Sequence, residues 1–161
     1  MPLECDGDWV WALDDAFSVY LAYLAEALET SSAAEAPWVR DLVEHAQRAS
    51  VLADHAMIIE PDSEGQRLVI REAAARAREA ATQRGDVIRA QLRDWTFHAF
   101  DDLPVSAGIS RTGDAVELAR VLEVAAALEG MLDGTLPPRA IYQRWFVGTG
   151  SGWATIEMLD P

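Results

Sequence analysis

The residues able to do acid–base or metal chemistry are few, and their spacing decides most of what they can do. Three histidines occur in 161 residues. His45 and His55 lie on one segment of helical periodicity, where Asp41, Glu44, Arg48 and His55 share a polar stripe. A carboxylate beside an imidazole can move a proton or ligate a metal. Here Glu44 and His45 are adjacent, so the Glu-x-x-His pattern of helical di-iron sites is missing, and no HExxH occurs. His98 stands three residues before Asp101, with Asp102 following. That grouping is either a proton-transfer pair or a histidine at a helix C-terminus, favoured by the helix dipole. His98, Asp101 and His55 are the catalytic candidates. The acid pairs Asp101-Asp102 and Asp14-Asp15 lack the further carboxylate that a DDxxD magnesium motif needs. No metal site and no cofactor is expected.

Other chemistries are absent by residue type. The chain has no lysine, so Schiff-base catalysis, a P-loop lysine and a Ser–Lys dyad are ruled out. Cys5 is the single cysteine, which excludes an internal disulfide or a CxxC pair. Its neighbours Glu4 and Asp6 disfavour a thiolate. Ser106, Ser110 and Ser151 sit in no GxSxG context. The run Gly148-Thr149-Gly150-Ser151-Gly152 resembles a phosphate cradle, but a dinucleotide loop opens a helix, and here WATIEML reads as strand. A turn is expected.

Charge is the strongest compositional feature. The net charge is −14. Residues 1–64 carry −12, residues 65–100 carry +3 and residues 101–161 carry −5. The middle block holds Arg67, Arg71 and Arg78 on one helical stripe. They either answer carboxylates within the chain or form an anion-binding face. A phosphate backbone would meet a mostly negative field, so nucleic acid is not an expected partner. No apolar run reaches membrane-spanning length, and the acidic start MPLECDGD lacks a positive n-region. The expectation is a cytoplasmic chain that does not enter a membrane.

These residues need elements to position them. Over residues 9–28, Trp9, Leu13, Phe17, Tyr20, Leu21, Leu24 and Leu28 recur every three or four positions, with Val10, Trp11, Val19 and Tyr23 beside them. That predicts a helix with apolar residues over most of its circumference, surrounded by neighbours. Its narrow polar strip holds Asp15, Ser18, Glu26 and Glu29, with Asp14 beside it. A second helix is expected from Pro37 towards Pro61. A third follows from Asp62 or Ser63 to Gly85, with an alanine face over residues 73–81 (Ala73, Ala74, Ala77, Ala80, Ala81). A short fourth helix is capped by Asp86, then a loop covers 101–113, and a fifth helix is capped by Asp114 and ends at Gly134. Residues 139–159 predict an aromatic hairpin, with a short helix over 138–147 as the rival. In the hairpin register considered, Phe146 and Trp153 share one face.

The expected fold is mainly α: one domain over 1–161, a bundle of about five helices around a central N-terminal helix, with the hairpin packed on it. Two functions fit. One is a non-enzymatic, acidic protein-binding module, of the inhibitor or immunity type, that meets a basic partner. It would use Asp14, Asp15, Glu26 and Glu29 for the field and Phe146 and Trp153 as anchors. The other is a small-molecule protein or enzyme that holds an anionic ligand in an inter-helix pocket of His and Arg. Self-association through the alanine face 73–81 is a further option.

Overall fold

The computed structural model describes residues 1–52, 55–99, 103–106 and 115–157. In chain order the elements are β1 (Pro2–Cys5), β2 (Asp8–Ala12), α1 (Asp14–Glu29), α2 (Pro37–Val51), β3 (Met57–Ile59), α3 (Glu64–Arg84) and β4 (Val87–Ile88). There follow α4 (Arg89–Leu92), β5 (Thr96–Ala99), β6 (Leu103–Ser106), β7 (Ala115–Val116), α5 (Leu118–Asp133), β8 (Gln143–Val147) and β9 (Ala154–Glu157). The chain is therefore α/β, not the mainly α bundle the periodicity suggested. A five-stranded mixed sheet runs in the order β3-β1-β2-β8-β9, and two small antiparallel pairs, β4-β7 and β5-β6, stand apart.

At the N-terminus residues 9–12 are strand and the helix starts only at Asp14. Asp6 and Gly7 have φ of 52° and 79°. Both central residues of a two-residue hairpin turn need positive φ, which Asp-Gly supplies at little cost. That turn joins β1 to β2, with Leu3 opposite Val10 and Pro2 opposite Trp11. Inward residues Leu3, Cys5, Val10 and Ala12 are fully buried, while Trp9 and Trp11 point to the other face and are half-buried.

Helix α1 then enters the core. It is buried at every position except Asp14, Glu26 and Glu29, with α2, α3 and α5 around it. Its buried serine is satisfied: Ser18 Oγ donates to the Ser50 carbonyl on α2, and Ser50 Oγ donates back to the Ser18 carbonyl at 2.9 Å. Helix α2 ends at Val51 and the chain continues as β3, parallel to β1, so the helix does not persist to Pro61. In α3, Ser63 accepts the Gln66 amide at its start and Gly85 closes its end. Its face of Ala73, Ala74, Ala77 and Ala81 is buried against the other helices. That face is internal, so a second copy cannot use it.

Asp86 caps α5, not a fourth helix: its Oδ1 accepts the Leu118 amide at 2.8 Å. Asp114 lies outside the described residues. Residues 87–88 pair with 115–116, and 96–99 with 103–106, where a short helix and a loop were expected. The C-terminal segment is a hairpin with Phe146 opposite Ala154. This register places Trp145 with Trp153 and leaves Phe146 on the opposite face, one step from the expected register. A one-residue slip exchanges the faces of a whole strand. No helix among the described residues is long and apolar enough to cross a membrane.

Candidate functional site

Helix α2 turns Val39, Val43, Ala46, Ala49 and Ser50 towards the core, which leaves Arg40, Asp41, Glu44 and Arg48 exposed on its other side. Three depressions run along that exposed side. The first, about 240 Å³, is lined by Glu29, Glu35, Arg40, Glu44 and Gln47 among others. The second, about 300 Å³, is lined by Asp41, Glu44, His45, Arg48 and His55. The third, about 230 Å³, lies between α2, the end of β3 and the start of α3, and includes Trp38, Asp41, His45, Glu60, Asp62 and Gln66. Glu44 belongs to the first two, and Asp41 and His45 to the last two. The three form one trough.

Its electrostatics are lopsided. Six carboxylates line it (Glu29, Glu35, Asp41, Glu44, Glu60 and Asp62) against two arginines. Arg48 is ion-paired with Glu44, and Arg40 donates to the Glu35 carbonyl at 2.9 Å. Among the described residues, Asp41, Glu60 and Asp62 have no ion-pair partner. Glu29 accepts from Gln47 Nε2 at 2.9 Å. Partial burial raises its pKa; the Gln47 hydrogen bond opposes the rise and the Glu26 charge adds to it. A cation placed beside such a carboxyl favours its ionised form.

His45 is held by the fold. Its Nε2 donates to the Ala56 carbonyl at 2.9 Å. With Nε2 donating, the neutral ring keeps Nδ1 as an acceptor. Trp38, at the first turn of α2, adds an aromatic wall to the third depression. An indole face attracts cations, more so where the site is partly desolvated.

The other sequence-predicted residues are scattered. Asp14 lies 3.6 Å from the Met1 amine, and Asp15 is buried in the first turn of α1. Glu26 accepts from Trp95 Nε1. Only Glu29 of that acidic strip reaches the trough. Phe146 faces away from the helices, whereas Trp153 stacks edge-on with Trp145 at 5.6 Å. His98 sits in β5 opposite Pro104, and Asp101 lies outside the described residues.

The arginine stripe is engaged within the chain. Arg67 pairs with Asp6 and donates to the Leu132 carbonyl at 3.1 Å. Arg71 pairs with Asp133 at 2.9 Å and donates to the same carbonyl, and Arg78 pairs with Glu129. Arg67 and Arg71 thereby cap the C-terminal end of α5, where the helix dipole favours positive charge. Of the catalytic candidates, His55 lines the second depression, together with Arg48, Glu44, Asp41 and His45. Among the described residues, no group of three or more His, Cys, Asp or Glu is arranged to hold a metal ion.

The residues missed were Trp38, Glu35, Glu60 and Asp62. For Glu60 and Asp62 the signal was present in Met57-Ile58-Ile59-Glu60-Pro61-Asp62, where a branched run followed by two acids about a proline reads as a strand leaving the core. Comparison with protein-family models, with curated proteins and with solved structures gives no match.

Proposed function

We propose that this chain is a non-enzymatic binding module that takes a basic segment of a partner protein into the trough along α2. The observation that carries this reading is the succession of three adjoining depressions along α2, lined by six carboxylates against two arginines. Size favours a peptide over a cofactor. Each depression is 300 Å³ or less, at or below the floor of roughly 300–1,000 Å³ for sites that enclose drug-sized ligands. A lysine or arginine side chain is small enough for one depression, and a short basic stretch reaches several. The net charge of −14 adds long-range steering of a basic protein. The anionic-ligand reading has less support, because Arg67, Arg71 and Arg78 already pair with Asp6, Asp133 and Glu129.

Calorimetry with an arginine- and lysine-rich extended peptide tests the proposal, with an acidic peptide of equal length as control. The expected result is binding of the basic peptide alone, weakened about tenfold or more when salt rises from roughly 0.05 to 0.5 M. The triple variant Asp41→Asn, Glu60→Gln, Asp62→Asn is expected to lose most of the affinity while keeping the melting temperature. Equal binding by the triple variant, or no binding at low salt, overturns it.

A further inference from the structure

The four long helices lie on one face of the five-stranded sheet, and the described residues leave the other face without a helix. Its composition follows from the register. Glu4 stands opposite Ile58 on one side and opposite Trp9 on the other. The Arg144 guanidinium covers the Trp9 ring at 4.8 Å, and Arg144 stands opposite Ile156. One row across the sheet therefore reads Ile58, Glu4, Trp9, Arg144, Ile156. The next row reads Pro2, Trp11, Phe146, Ala154. At the outer edge of the face Ile58 is 40% exposed.

We propose that a second copy of this chain docks face to face on these two rows. The first row is antisymmetric in charge about Trp9, with an acid one strand to one side, a base one strand to the other and isoleucine at both ends. A two-fold axis in the interface plane, running along β2, lays this row on itself reversed. Glu4 of each copy then faces Arg144 of the other, Ile58 faces Ile156, and Trp11 meets its own counterpart. An axis across the strands would stack Glu4 on Glu4 and Arg144 on Arg144, which is repulsive. An isologous contact requires such self-complementarity. The two rows carry one acid and one base, so they are neutral within a molecule of net charge −14. A basic partner would be repelled by Arg144, whereas a like-charged copy can approach here.

The contact is small. Five strands about 4.8 Å apart and two rows deep give roughly 300 Å² per copy, below the roughly 800 Å² per partner of stable complexes. A weak dimer, half-formed near about 0.1 mM, is the corresponding expectation.

Sedimentation velocity from about 5 µM to about 1 mM, in roughly 0.3 M salt to screen repulsion between copies, tests the proposal. The mass is expected to rise from 17.7 kDa towards twice that value. Glu4→Arg and Arg144→Glu should each weaken association about tenfold or more, and the Glu4→Arg, Arg144→Glu double variant should regain most of it. Ile58→Lys, at an exposed position, should abolish the dimer with an unchanged melting temperature, so the proposal stays testable if a reversal at Arg144 disturbs folding. A monomer at every concentration overturns the proposal. So does a dimer that Ile58→Lys and Glu4→Arg leave intact, or a double variant no better than either single one. Peptide binding in the trough is scored separately and does not bear on this result.

Discussion

Glu123 on α5 accepts the backbone amide of Gly148 at 2.8 Å, and so anchors the loop between β8 and β9 to the helix layer. The same carboxylate accepts the Thr149 amide at 2.9 Å and the Gly152 amide at 2.7 Å. The glycine-rich run is thus an anion-binding nest filled by a side chain of its own chain. Hydrogen bonds to a charged acceptor contribute about 1.5–3 kcal/mol each and do not simply add when they share one group. Glu123→Ala should therefore destabilise the fold by about 3 kcal/mol, and Glu123→Gln by about 2 kcal/mol because one oxygen acceptor remains. Urea denaturation measures both. A loss under about 1 kcal/mol for the alanine variant would mean that the loop is held by other contacts.

The glycines of this loop should differ in tolerance. Gly148 has φ of 87°, and a Cβ there would lie 3.1 Å from Ala16 Cβ and 3.3 Å from the Leu13 amide nitrogen. Gly152 has φ of 97° with open space around the position. Gly152→Ala therefore incurs only the left-handed backbone cost of about 1–2 kcal/mol. Gly148→Ala adds crowding against the backbone and α1, and should cost at least about 1 kcal/mol more. Equal melting temperatures for the two variants would contradict this.

Several elements were legible in the sequence because one local signal sufficed. Ser63 and Gly85 bracket α3, and Pro37 opens α2. The first strands were not legible, for a physical reason. In β2 the inward Val10 and Ala12 meet the core while the outward Trp9 and Trp11 are also apolar, so no period of two shows. Trp9, Leu13 and Phe17 then fit a helical period across a strand–helix junction. The Asp6-Gly7 turn was the contrary signal, and it also resembles a helix cap. For the site, the polar stripe of α2 was visible as Asp41, Glu44, Arg48 and His55. The opposite wall comes from Glu60 and Asp62, and their approach depends on β3 pairing with β1 across more than fifty residues of chain. Local periodicity carries no information about such a pairing.

Cys5 should be inert in the folded protein. It is fully buried in β1, and burial first, then the Asp6 charge, pushes its thiol up to about 12. The thiolate is the reacting species, so alkylation at pH 8 should be slower than for an exposed thiol by about a thousandfold. Iodoacetamide labelling followed by mass spectrometry, with and without urea, checks this. Rapid labelling of the native protein would show that β1 opens readily at the sheet.

Tyr20 presents a buried hydroxyl that has no hydrogen-bond partner among the described residues. It sits on α1 with no exposure, and burial, then the charge of Glu129, raises its pKa, with Arg78 opposing. An unsatisfied buried donor costs about 1–3 kcal/mol, and removing it with little change in shape recovers part of that cost. Tyr20→Phe should therefore stabilise the protein by about 1 kcal/mol near neutral pH. The effect on alkaline stability has a definite sign. The unfolded chain releases the phenolic proton near its ordinary pKa of 10.0, while the folded chain keeps it. The Tyr20 contribution is therefore intact below pH 10 and is lost as pH rises above it. From pH 10 to 11 the wild type should lose about 1 kcal/mol through this residue, and the phenylalanine variant should lose none of it. Urea titrations at pH 8, 10 and 11 should show the gap between the two proteins widening with pH. A constant gap would mean that Tyr20 ionises in the folded state, which its burial at the centre of the helix layer does not permit.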